Sequence, residues 1–246
     1  MGFKLIPDRN KMTKTLARSA GASYIMNKDL SDKERMEKVR EVIRATDFRI
    51  VKKLSDSRIS TFRYGRVYII AHRGTAVDTS SKYEDLLADF KLAFKAEATD
   101  KNFQIRMART ISIIEIIRKE RKDAIIHLTG HSLGGTSAYY CMTKNEFIFD
   151  NVSKCVCFNP GTTPLNYTLV FTRRKREFDS KIKLHHIRGD FISKNLNGLH
   201  GTKHYYYFQK TFIKRTFGFF AKLNPFTKYF YGAHSTISHH SITNFY

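Results

Sequence analysis

Residues 124–138, AIIHLTGHSLGGTSA, constrain this chain more than any other stretch of it. The run from Ala124 to Leu128 is short, continuous and apolar, the pattern of a strand buried on both faces. It leads into Thr129-Gly130-His131-Ser132-Leu133-Gly134-Gly135, which contains Gly-x-Ser-x-Gly. That spacing predicts a nucleophile elbow, in which a strand turns sharply into a helix and holds one serine in a strained backbone conformation. The flanking positions need to be nearly free of side chains, because strand and helix approach closely there. The plain alternative is a glycine-rich turn with a surface serine. The apolar run before the motif and the small and apolar residues from Thr136 to Met142 after it favour the elbow.

The rest of the chain alternates in the same way. An amphipathic helix is predicted over 29–46, with capping-box spacing at Ser31 and Glu34 and with Met36, Val39, Val42 and Ile43 on one face. Short strands follow at Arg49–Leu54 and Ser60–Arg63. Tyr64-Gly65-Arg66 turns the chain into a stronger strand, Val67–His72, which ends at Arg73-Gly74-Thr75. Ser81 and Glu84 have capping spacing before a helix containing Leu87, Phe90 and Phe94. A long helix covers about 102–121, with Met107, Ile111, Ile114 and Ile117 in register. Further strands are expected at Lys154–Asn159 and Ile182–Arg188. Such alternation predicts the α/β class, with a mainly parallel central sheet and helices on both faces. At 246 residues the chain suits a single domain, with a core over about 48–246 and an N-terminal helical extension over 1–47. Reacting groups in such sheets gather beyond the carboxyl ends of the strands.

A serine hydroxyl needs a base to take its proton, and the base is usually a histidine oriented by a carboxylate. Where an elbow serine is used, the chain order is Ser, then Asp or Glu, then His. From Lys181 onward the only carboxylate is Asp190, directly after a predicted strand. Glu146, Asp150, Glu177 and Asp179 are alternatives, the last two beside the basic run Arg173–Arg176, where a solvated, charge-balanced loop explains them. Seven of the ten histidines follow residue 181. Chain order favours the last group, His234, His239 and His240, without separating its members. An oxyanion hole requires N–H groups aimed at the developing negative oxygen. Leu133 supplies one as the residue after the nucleophile, and Thr75 suits the other.

Taken together, Tyr68–Thr75, Tyr83–Phe90, Thr129–Gly135 and Cys157-Phe158-Asn159-Pro160-Gly161 resemble the class 3 (fungal-type) lipase family over about residues 60–192. The resemblance implies an α/β-hydrolase fold. It implies Ser132 as nucleophile, Asp190 as orienting acid, and Thr75 with Leu133 as the oxyanion hole. The family's base commonly precedes a serine near the end of the domain; His240-Ser241 matches this best, with His234-Ser235 as the alternative. His72 departs from the family, which often has an aromatic residue there. The implied reaction is hydrolysis of an acyl-lipid ester, of triacylglycerol lipase or phospholipase type, with no cofactor and no metal. The same groups would serve an acyltransferase or thioesterase, and a catalytically silent lipase-fold protein is the reading from outside the enzymes. The lid implied near 76–82 is short and polar, which predicts similar specific activity above and below substrate micellisation.

The charge of this chain is unusual. Its formal net charge is +22, from 44 Lys and Arg against 22 Asp and Glu, a field that attracts any polyanion. No nucleic-acid motif accompanies it, so nucleic acid is a partner through charge alone. The lysine-rich composition resembles that of class 3 lipase-like proteins of large DNA viruses. Between Tyr205 and Tyr231 aromatic and basic residues interleave without an acid, Phe217, Phe219, Phe220 and Lys222 among them. Such a surface suits anionic lipid headgroups; the alternative is that these aromatics pack on the core. Vesicle binding that ignores lipid charge would retire the docking reading. Cys141, Cys155 and Cys157 form no disulfide framework. No signal-peptide pattern or membrane-length apolar run is visible, which favours an intracellular or virion-associated location.

Overall fold

The computed structural model describes residues 11–27, 30–75, 99–161, 175–188, 199–207 and 245. Seven strands lie in chain order in one sheet. They are β1 (Arg49–Ile50), β2 (Ile59–Tyr64), β3 (Val67–His72), β4 (Ile125–His131), β5 (Lys154–Phe158), β6 (Ile182–Arg188) and β7 (Thr202–Tyr207). β1, β2 and β3 pair antiparallel, and every pair from β3 to β7 is parallel. The β2–β3 hairpin turns at Gly65, whose φ of 56° is natural only to glycine.

Six helices are described: α1 (Lys11–Ser23), α2 (Asp32–Ile43), α3 (Asp100–Glu120), α4 (Leu133–Lys144), α5 (Glu146–Asn151) and α6 (Lys175–Lys181). Strand order decides which face each one covers. When parallel strands add in one direction through crossovers of one hand, the connecting helices fall on the same face. Accordingly Ile113, Ile114 and Ile117 of α3, Tyr139 and Met142 of α4, Phe149 of α5 and Phe178 of α6 share one core with Tyr68, Ile70, Ile126 and Leu128. The opposite face must be covered from outside the crossovers. Leu16, Ala17 and Ala20 of α1 and Val39 and Ile43 of α2 do so, against Phe62, Ile69, Val156 and Phe158. The sheet is thus mainly parallel with helices on both faces, as expected, and α1 and α2 cover one of those faces.

Besides α1, α5 and α6, for which no separate helix was expected, two stretches differ from the sequence reading. The strand expected over 49–54 lasts only two residues, then gives way to a single 3₁₀ turn, Lys52–Leu54. There Leu54 turns into the core, and its carbonyl accepts a hydrogen bond from Thr61 Oγ1 at 2.8 Å. β7 was not anticipated. It takes the first of the aromatic residues assigned to a lipid surface, and Tyr206 is buried, donating from its hydroxyl or accepting at 2.7 Å from His185 Nδ1. For that residue, packing on the core is the outcome. Ser31 caps α2 through the reciprocal box with Glu34, as its spacing implied. Among the described residues, no helix is long and apolar enough to cross a membrane.

Candidate active site

Register places the ends of four strands at one edge of the fold. His72 lies opposite Gly130, His131 opposite Phe158, and Phe158 opposite His185. Ser132 follows β4 at this edge with φ 55° and ψ −128°, a conformation costly for any residue with a side chain and stable only where its surroundings hold it. Those surroundings are specific. Ser132 N–H donates to Phe158 O at 3.0 Å, which ties the elbow to β5. Thr136 Oγ1 donates within reach of both Ser132 O (3.1 Å) and Gly161 O (2.9 Å).

The glycines of the motif are required by contact. A Cβ on Gly130 would lie 2.3 Å from Gly134 C, and one on Gly134 would lie 2.1 Å from His72 O. The neighbours are backbone atoms, which cannot swing aside. The same distances show that the end of β3 packs directly on the first turn of α4. A Cβ on Gly74 would likewise sit 2.6 Å from His131 O, so the Arg73–Thr75 turn lies against the residue preceding Ser132. Sequence reasoning brought these two blocks together, and the structure places them in contact.

Ser132 and Thr75 are both buried, and neither hydroxyl has a hydrogen-bond partner among the described residues. A buried hydroxyl without a partner carries a desolvation cost, and two of them lie beside this one elbow. Leu133 occupies the first position of α4, where a helix N–H has no carbonyl of its own helix to bond. The positive end of the helix dipole faces the same spot.

β5 and β6 are joined beyond their ladder by Asn159, at φ 42°. Its N–H donates to His185 O at 2.7 Å, and its side-chain oxygen accepts from Ile187 N–H at 2.9 Å. This stitches the exit of β6 to the strand beside the elbow. Asp190, two residues past Arg188, lies outside the described residues, as do His234 and His240, Phe217, Phe219, Phe220 and Lys222, the segment 76–82 and the capping pair Ser81 and Glu84.

Beneath the site is a polar group that sequence reasoning missed. Arg106 of α3 is only 3% exposed and donates from Nη1 to Arg73 O at 2.7 Å. Thr110, one turn on, donates to Arg106 O and meets His72 Nε2 at 3.0 Å. Burial, then the Arg106 charge, lowers the His72 pKa to about 3, so this imidazole is neutral. The signal was present: Phe103, Arg106, Thr110, Ile113 and Ile117 form the buried stripe of α3, with an arginine at an apolar position. The cysteines compete poorly as nucleophiles. All three are buried and free, and burial pushes Cys141 up to about 12, so little thiolate forms near neutrality.

No protein-family model matches this chain, and no curated protein does. Solved structures do. The Lip2 lipase of Yarrowia lipolytica superposes with a TM-score of 0.52 at 14% identity, covering 79% of this chain and 77% of that one. Its nonglycosylated form gives 0.51 at 14% identity, over 80% and 79%. A triacylglycerol lipase whose catalytic centre is a serine protease triad gives 0.52 at 12% identity, over 81% of each chain. This is an α/β-hydrolase fold. At such identities the likeness carries the fold, and the chemistry rests on the residues gathered at the strand ends.

Proposed function

We propose that this chain is a serine ester hydrolase of the class 3 lipase type, acting on acyl lipids such as triacylglycerols or phospholipids. One observation carries the reading: Ser132 sits at an elbow in a strained conformation, with a buried hydroxyl that has no partner among the described residues, beside the turn that holds Thr75. On this reading Ser132 Oγ attacks the ester carbonyl while His240 takes its proton, and Asp190 orients the imidazole. His234 is the alternative base. The negative oxygen of the tetrahedral intermediate accepts from the N–H of Leu133 and from Thr75. Such preorganised donors contribute about 3–4 kcal/mol each to the transition state. His240 then protonates the departing alcohol, and water, activated by the same base, releases the fatty acid from Ser132. The solved lipase neighbours support a lipid ester as substrate through their shared fold.

A fluorophosphonate, which traps activated serines, tests the assignment. The expected result is one covalent adduct on the peptide containing Ser132, absent from Ser132→Ala. An unlabelled, folded wild type would instead favour a silent lipase-fold protein that uses its net charge of +22 to hold anionic partners.

A further inference from the structure

We propose that Tyr24 and Arg106 are positioning residues that clamp the Arg73–Thr75 turn against the Ser132 elbow, one from each face of the sheet. The inference rests on the reading of that turn as half of an oxyanion hole. β3 ends at His72, and the turn starts at the next residue. The Arg73 N–H donates to Arg58 O at 2.9 Å, and among the described residues the side chains of Arg106 and Tyr24 also reach this turn.

From one face, α3 delivers Arg106. Its Nη1 donates to Arg73 O at 2.7 Å and lies 3.4 Å from Arg58 O, the carbonyl that Arg73 N–H already uses. One planar guanidinium therefore ties both sides of the turn's entry and sets the plane of the peptide that leads into Gly74. A buried guanidinium carries a desolvation cost that leucine or methionine at the same place would not. The rigid fork is what a lysine ammonium lacks.

From the other face, α1 packs across β3 and β4 and presents Tyr24 just past its last residue, Ser23. The Tyr24 hydroxyl bonds His131 Nδ1 at 2.9 Å and lies 3.4 Å from His131 O. It also fills the space over Gly74, where an added Cβ would lie 2.1 Å from the phenolic oxygen. One hydroxyl thus touches the residue before the nucleophile and the residue before Thr75. A shift of either would misalign donors whose value depends on where the transition-state oxygen will be.

Tyr24→Phe keeps the ring and removes only the hydroxyl, so it is the variant to test. Turnover of a soluble p-nitrophenyl ester is measured for wild type, Tyr24→Phe, Thr75→Ala and the double variant, alongside thermal melts. We expect Tyr24→Phe to lower kcat about tenfold with KM within about twofold, at a melting temperature that leaves the protein folded. In the Thr75→Ala background the same change should cost less than about threefold, because two residues acting on one donor are not additive. Arg106→Lys should fall in kcat in the same way. An active wild type with unchanged kcat in Tyr24→Phe, or with fully multiplicative losses in the double variant, overturns the clamp alone. A wild type that neither turns over nor labels at Ser132 removes both the reading and the clamp.

Discussion

The two faces of the sheet are covered by different means. The crossover face is packed mainly with Ile, Leu, Tyr, Phe and the three cysteines on α3, α4, α5, α6 and the strands, with Arg106, Thr110 and His72 as a buried polar group beneath the strand ends. The N-terminal face is covered by α1, whose buried residues are Leu16, Ala17, Ala20 and Ala22 with Thr15, Ser19 and Ser23. Those hydroxyls are satisfied within the helix, Thr15 to Lys11 O and Ser19 to Thr15 O at 2.9 Å each, so burying them costs little. Small residues let α1 lie close on β3 and β4, with Thr129 Oγ1 reaching 3.5 Å from Leu16 O. Both faces approach the elbow closely: the crossover face through the first turn of α4 and the Thr136 hydroxyl, the N-terminal face through the small residues of α1 and the Tyr24 hydroxyl.

The largest effect is expected where the crossover face meets the strand ends. Gly134→Ala would place its Cβ 2.1 Å from His72 O and 2.8 Å from Arg73 C. With only backbone to displace, it should cost more than about 4 kcal/mol in chemical denaturation. Gly135→Ala, at 3.0 Å from Gly130 O and 3.3 Å from Pro160 Cβ, should cost about 1–3 kcal/mol. Equal losses would show that close approach at the elbow is not what the motif protects.

Matched truncations separate the faces next. Ile113→Ala on the crossover face and Leu16→Ala on the N-terminal face each remove a fully buried side chain and should cost about 2–5 kcal/mol. Ester turnover of the folded fraction should fall only in Leu16→Ala, since α1 carries Tyr24. Equal turnover in both would mean that α1 is covering alone.

The pH response involves both faces. His72 is held neutral by burial and then by Arg106, with a pKa of about 3; His127 is held neutral by burial and then by Lys154, with a pKa of about 4. Unfolded, each takes a proton near pH 6.5, so below that value the unfolded state binds more protons. Stability is therefore lost as pH falls from 6.5 towards 4 for His127 and towards 3 for His72, by about 1.4 kcal/mol per pH unit for each. Urea melts at pH 7, 6 and 5 should show this, with His127→Gln flattening about half of the slope. The smallest effect belongs to the α2 cap, where Ser31→Ala should cost about 1 kcal/mol with no change in turnover.

What the sequence disclosed follows from these differences. β3, β4, β6 and α3 were legible because bulky apolar residues repeat with the period of a strand or a helix. The elbow was legible because its glycines are demanded by backbone contact. α1 escaped notice because it packs through Ala, Ser and Thr, which carry little hydropathic signal. β7 was hidden because His204, Tyr205 and Tyr206 read as a surface, although Tyr206 finds its partner in His185 across the sheet. Arg106 showed only as an arginine at an apolar position of α3, and Tyr24 gave no sign in its spacing. Their roles depend on carbonyl and imidazole atoms brought to them by β3 and β4.

The most direct measurement is hydrolysis of a medium-chain ester by wild type and Ser132→Ala, with circular dichroism and melting temperature recorded for both. Turnover should fall by at least about a thousandfold in Ser132→Ala with the fold unchanged. Equal turnover in the two proteins would contradict the assignment of Ser132 and, with it, the function proposed for this site.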